Sequence, residues 1–400
     1  MPFNFLTELL KVTKIVESPT SYLEWAGYAT VAAVMRHRLY IDFPSRRTKV
    51  TPNIYVLLVG DSGATRKSTP LKIANFLLKR VGNTKLIEGR ASIQGVLKEL
   101  AGKKREGKRI LEGAAAMLYS EEFAAFLVKD PSTTSILTDI YDYKDTHEIL
   151  LKSEDTLKLE NVCITLLSAT NAAFLQDMFT KTDLYGGLVG RTIFVIEERA
   201  RHKNLGLHDD TSEKDWDPLI HHLIKLSQME GPVVISEQAN EYLEQWYNDT
   251  DFSWRESKTG YEHRAHTHVM KMALIFAACE EGFNKEINLS HCERAVELIN
   301  SYRKNYHQLV ATVGTSINTT TQAAKDITLI LFRSVKEKLT KRDILQRAPD
   351  IDSETFEKAM ITLEQKGFVK LGGTGTTFYE LTKDARELIM GSVTVPPRVN

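Results

Sequence analysis

Apolar residues recur at helical spacing through YLEWAGYATVAAVMRHRLY, and the chain up to Thr51-Pro52-Asn53 reads as a helical N-terminal segment, residues 1–52. The pattern then changes. IYVLLVG, residues 54 to 60, is short, β-branched and apolar on both faces, as a buried strand of a parallel sheet is. A glycine-containing turn and the helical run LKIANFLLKRV follow it. AAAMLYS (114–120), VCITLLSAT (162–170) and RTIFVIE (191–197) repeat the strand signature. Strand, glycine-rich turn and helix in that order predict an α/β nucleotide-binding domain over residues 53–205.

Beyond it the period becomes mostly helical. EQANEYLEQWYNDT, HVMKMALIFAACEE and SHCERAVELINSYRKNYHQLV predict a helical domain over residues 206–310, with VVIS at 233–236 as a strand. Ser290 and Glu293 suggest a capping box for the last of these helices. Residues 311–323, uncharged and rich in Thr and Ser, read as a linker. Three helical runs and a glycine-tipped hairpin over residues 324–385 predict a winged helix, leaving 386–400 as a tail. Inside the α/β domain, HEILLKSEDTLKLENV (147–162) alternates at period two about Ser-Glu-Asp and predicts an inserted hairpin.

Composition narrows the classes. With 400 residues, 42% of them hydrophobic, the chain can bury real cores. Lys+Arg and Asp+Glu both number 52, so contact with nucleic acid has to come from local patches or a channel lined by several subunits. Three cysteines, Cys163, Cys279 and Cys292, show no metal-ligand spacing and fit a reducing, cytoplasmic setting. His263, His266 and His268 lack the i, i+4 pair of a zinc helix. No stretch is long and apolar enough for a membrane span, and Val269 to Cys279 reads as a buried helix.

The strongest chemical signal runs Gly60, Asp61, Ser62, Gly63, Ala64, Thr65, Arg66, Lys67, Ser68, Thr69. A phosphate loop needs glycine where the chain turns, a lysine for the β- and γ-phosphates, and a hydroxyl for Mg²⁺. Lys67 and Ser68 fill the last two roles, and the helix that follows adds its positive end. Arg66 stands where GxxxxGK[ST] has glycine. A residue with a Cβ resists positive φ, so the loop is expected to bend elsewhere, at Gly63. Glu121 and Glu122 end the strand AAAMLYS. ATP hydrolysis uses one carboxylate at the metal, here Glu121, and one that polarises the attacking water, here Glu122. Both glutamates could instead cap the next helix.

NIYVLLVGDSGATRKST, LYSEEFAAFL, ITLLSATN and GGLVGRTIF together resemble the helicase portion of phage and plasmid primase–helicase proteins, and more distantly the minichromosome-maintenance helicases. The resemblance covers most of residues 20–310 and implies an AAA+ P-loop NTPase core with a helical lid. It implies ATP and Mg²⁺ as cofactors, a homo-oligomer, expected to be a hexamer, and single-stranded or forked DNA as partner, with any primase or polymerase supplied separately. It assigns Asn171 as the residue that senses the γ-phosphate, Arg191 as an arginine finger acting on the neighbouring subunit's ATP, and Arg264 as the lid arginine at the nucleotide. A hairpin at 147–162 would enter the ring channel, with Lys152, near its tip, and Lys158 on the DNA backbone. Lys103, Lys104 and Arg105 form a second candidate channel loop. The expectation is an ATP-driven replicative helicase of a mobile element. Its rivals are a DNA-binding regulatory or initiator ATPase without unwinding, and a defence ATPase that recognises invading DNA.

Overall fold

The computed structural model describes residues 2–88, 92–102, 104–106, 109–111, 113–123, 132–150, 156–171, 187–204, 206–250, 260–314, 319–334, 338–348, 351–373 and 377–386. The protein is mixed α/β and forms two compact units, residues 1–313 and 314–400.

The first unit is organised by five parallel strands, Tyr55–Val59, Lys85–Glu88, Ala115–Ser120, Thr156–Thr170 and Thr192–Ile196. Numbered in chain order they lie 5-1-4-3-2 across the sheet. Tyr55–Val59 is buried at every position, which accounts for its unbroken apolar run. The edge strand Lys85–Glu88 has no counterpart in the sequence reading. Its four residues are too few to show a period, and Lys85 is a poor strand signal although it is buried.

Two helices are apolar on all sides because they run through the core. In Thr20–Met35 nearly every residue is buried, and in Ala265–Ala278 burial extends to His268 and Lys271. The core joins the N-terminal segment, the sheet and the helices of residues 206–310 into one continuous cluster.

Four expectations need correction. The N-terminal helical pattern ends at Met35, where Arg36 takes φ 55. Leu39–Phe43 and Thr48–Val50 then pair antiparallel, so the end of the segment read as helix is a ribbon. The presumed linker is largely helical backbone. Leu289–Gly314 runs into it and Thr319–Arg333 starts within it, so its Thr-rich composition misled. The strand VVIS is reduced to Val234–Ile235, paired parallel with Glu286–Ile287. Asn288, not Ser290, caps the last helix of the first unit, its Oδ1 accepting from His291 N at 3.2 Å.

The second unit packs the helices Thr319–Arg333, Lys341–Arg347 and Ser353–Gln365 on a three-stranded antiparallel sheet, with Phe378–Leu381 between Leu339–Thr340 and Val369–Gly372. It has its own core, centred on Phe356, Ile327 and Leu339.

Candidate nucleotide-binding site

Parallel strands send their carboxyl ends to one edge of the sheet, where ligands of such folds collect. Register aligns Val59 with both Thr170 and Ile196, and Ser120 with Ser168. Gly60, Asn171, Glu121–Glu122 and Glu197 therefore all leave from this edge. Asn171 adjoins the loop directly, since Gly60 N donates to Thr170 O at 3.3 Å. Glu121 and Glu122 follow a strand two places away, about 10 Å at ordinary strand spacing. Both are exposed.

The loop from Gly60 to Lys67 is held from behind. A Cβ on Gly60 would come within 2.7 Å of Glu197 O, Thr65 Oγ1 and Tyr22 Oη, so glycine is obligatory there. Tyr22 Oη donates to Val59 O at 2.5 Å, and Ala200 N to Ala64 O at 2.9 Å. Gly63 takes φ +74 with open space around it, as expected. Arg66, however, also takes positive φ, at 52°. The left-handed bend that glycine makes in the usual motif is kept and not moved. Such a conformation costs a non-glycine residue about 1–2 kcal/mol. Contacts from outside the loop favour it. Glu17 Oε2 accepts from Arg66 Nε at 2.7 Å, and Ser18 Oγ donates to Arg66 O at 2.8 Å. Glu17 Oε1 accepts from Asn204 N at 2.9 Å. That bond, and then the guanidinium, hold the Glu17 carboxyl below its ordinary pKa. Glu17, Ser18, Tyr22 and the segment 197–204 escaped sequence reasoning because no local pattern marks contacts so distant in the chain.

Lys67 precedes the helix Ser68–Val81. Its ammonium lies on Gly60 O and, at 3.0 Å, on Asp61 O. Partial burial lowers its pKa from the ordinary value. Asp61, Ser62, Gly63 and Ala64 are exposed, while Ser68 and Thr69 are half-buried. Backbone N–H groups, a lysine and a helix N-terminus are the parts from which anion sites are built. Ser68 and Glu121 carry oxygens of the kind a hard divalent cation takes.

The chain matches no protein-family model, and no curated protein matches it.

Arg191 and Arg264 stand apart from this edge. Arg191 closes the turn Val189–Arg191 just before Thr192, which pairs with Tyr55 at the amino end of the loop's own strand. In that register Arg191 falls level with Ile54, six residue steps along the strand from Gly60, about 20 Å. Its guanidinium donates to Gly187 O at 3.0 Å and pairs with Asp142 Oδ2 at 3.2 Å. Its side chain is 14% exposed, so it is not a solvated surface arginine. Arg264 lies near it in the turn Glu262–Arg264, and burial, then the charge of Arg191, lower the Arg264 pKa. Neither arginine is placed at the Gly60–Lys67 loop.

The three nearby histidines diverge. His263 is exposed, His266 meets the Tyr247 ring edge-on at 5.4 Å, and His268 is buried and donates to Gly190 O at 3.0 Å. Among the described residues no three His, Cys, Asp or Glu side chains group as metal ligands.

The inserted hairpin is present. Lys144–Leu150 pairs antiparallel with the start of Thr156–Thr170, so its second arm and the central core strand are one piece of chain. Lys158 is exposed, opposite Glu148 and ion-paired with Glu160 at 3.0 Å. Lys152 lies outside the described residues. Lys104 and Arg105 lie on a second small hairpin, Lys104–Glu106 with Arg109–Leu111, while Lys103 falls outside the described residues. Among the described residues no helix is long and apolar enough to cross a membrane.

Proposed function

We propose that the chain is a P-loop ATPase of the AAA+ type and serves as the motor of a ring-shaped DNA helicase. The observation that carries the ATPase reading is the 5-1-4-3-2 parallel sheet, which brings the phosphate loop, Asn171 and the Glu121–Glu122 pair to one edge. In this reading Lys67 and the loop amides hold the phosphates of ATP, and Ser68 and Glu121 hold Mg²⁺. The metal, when bound, neutralises charge on the phosphoryl oxygens. Glu122 takes the proton of the attacking water, and Asn171 orients that water. Arg191 and Arg264, at the opposite edge of their own sheet, serve the nucleotide of a neighbouring subunit.

The helicase reading rests on the hairpin. It is built into the same strand, Thr156–Thr170, that leads into Asn171, so a load on one end of that strand acts along it to the other. The second unit has the helix and strand order of a winged helix. Two lysines of its helical face are engaged by acids, Lys358 with Glu354 at 2.7 Å and Lys341 with Glu357 at 2.6 Å. This favours a weak accessory contact over tight sequence readout by a regulatory switch. Strand displacement on a forked duplex tests the reading. A motor separates the strands only with ATP. ATP hydrolysis without displacement would return the protein to the regulatory class.

A further inference from the structure

The amino edge of the sheet holds a buried polar cluster to which the proposed ATPase gives no role. Lys271, in the middle of the helix Ala265–Ala278, is 2% exposed. Its ammonium donates to Thr51 O at 3.0 Å, Asn53 O at 2.9 Å and Asn53 Oδ1 at 2.8 Å, and stands 4.7 Å from the centre of the Tyr141 ring. No carboxylate forms an ion pair with it among the described residues. Asn53 is the hub. Its Nδ2 donates to Tyr141 O at 2.7 Å and to Ile164 O at 3.1 Å, and its Oδ1 also accepts from Thr51 Oγ1 at 2.7 Å. The Tyr141 ring faces a second cation, the Arg191 guanidinium, at 5.7 Å. The next residue, Asp142, holds that guanidinium in the ion pair, and the hairpin arm Lys144–Leu150 begins two residues later.

An isolated buried ammonium is expensive, and an apolar side chain of similar volume would pack here at less cost. Burial lowers the Lys271 pKa to about 8. What lysine adds is geometry, because three acceptors and a ring face fix Asn53 and Tyr141 together. We propose that Lys271 is a positioning residue that holds the hairpin base, Tyr141–Asp142, against Arg191, so that strand binding at the hairpin controls release of Arg191 toward the neighbouring subunit. The inference rests on the functional reading above. The two-state element is the Arg191–Asp142 pair, closed in this structure and open when Arg191 serves the neighbour.

The test measures ATP hydrolysis by the full chain with and without a single-stranded oligonucleotide. For Lys271→Met, KM for ATP stays within about twofold of the parent, because the phosphate loop lies at the other edge, while the stimulation of kcat by the oligonucleotide disappears. A folded Lys271→Met protein with parental stimulation overturns the proposal. So does a parallel loss of basal and stimulated rates with their ratio intact, which is the mark of a merely structural role. Should Lys271→Met show no cooperative unfolding, Tyr141 decides. Its hydroxyl has no hydrogen-bond partner among the described residues, so Tyr141→Phe keeps all that the cluster uses and must keep the stimulation. Tyr141→Leu removes the ring and must lose it, and parental stimulation in Tyr141→Leu overturns the proposal. A parent enzyme that shows no response to single-stranded DNA overturns the functional reading itself, and the inference with it.

Discussion

At the carboxyl edge of the central sheet, Asp61, Ser62, Gly63, Ala64, Arg66, Glu121 and Glu122 are exposed, and the loop among them is held from behind by Glu17, Ser18 and Tyr22. At the amino edge, Asn53, Tyr141, His268 and Lys271 are buried, and their polar groups are mostly satisfied by one another and by backbone carbonyls. The first edge leaves its polar groups exposed, with Lys67 and Arg66 held by the loop's own carbonyls and by Glu17. The second spends its hydrogen bonds internally, as an element that holds geometry must. The two edges are therefore expected to answer differently to substitution, one in chemistry and the other in coupling and stability.

The largest effect is expected at the first edge. Glu122→Gln should bind ATP as the parent does and hydrolyse it about 10²- to 10⁴-fold more slowly, measured by single-turnover kinetics. If Glu121→Gln behaves this way and Glu122→Gln stays active, the two carboxylates exchange roles. Lys67→Ala should weaken ATP binding about 10- to 100-fold in a calorimetric titration, the loss of a charge-assisted contact. Parental affinity there would remove the loop from the site.

At the second edge the expected readout is stability against pH. Burial, the largest cause, lowers the His268 pKa to about 4 from an ordinary 6.5. Lys271, Arg264 and His266 lower it further, while the bond to Gly190 O opposes them. The folded state thus holds this imidazole neutral. Its contribution is fully present above pH about 6.5 and is lost as pH falls toward 4, because the unfolded chain takes up the proton first; the span is about 3 kcal/mol. His268→Gln should flatten that part of the acid unfolding curve, and an unchanged curve would mean that the imidazole is not held neutral. The smallest effect returns to the loop. Arg66→Gly should leave the melting temperature within a degree or two or raise it, since relief of about 1–2 kcal/mol of backbone strain offsets the lost pair with Glu17. Arg66→Val should lower it.

How much of this the sequence disclosed follows the same division. The loop, its strand and helix, the paired glutamates and the hairpin are contiguous in the chain, so period and glycine placement revealed them. The amino-edge cluster joins Asn53, Tyr141, Arg191 and Lys271, which lie far apart in sequence, and no window contains two of them. One trace was visible, a lysine inside the apolar run VMKMALIFAA, where a charge needs a partner. The positive φ of Arg66 could not be inferred from its residue type. It depends on Glu17 and Ser18, some fifty positions earlier. The ribbon Leu39–Phe43 was hidden because its apolar residues also fit a continuing helix.

In the proposed reading the two edges meet across a subunit boundary, one chain's loop facing another chain's Arg191. Mixing Lys67→Ala with Arg191→Ala tests it most directly. With ATP held near the parent's Kd, each variant alone should turn over slowly, Lys67→Ala because its binding is weakened and Arg191→Ala because its arginine is missing. In an equal mixture, roughly a quarter of head-to-tail interfaces pair the intact loop of an Arg191→Ala chain with the intact arginine of a Lys67→Ala chain. ATP hydrolysis should therefore reappear on mixing and grow with the fraction of mixed assemblies, followed by native mass spectrometry. A mixture that stays inactive while mixed assemblies are seen to form would contradict the shared site.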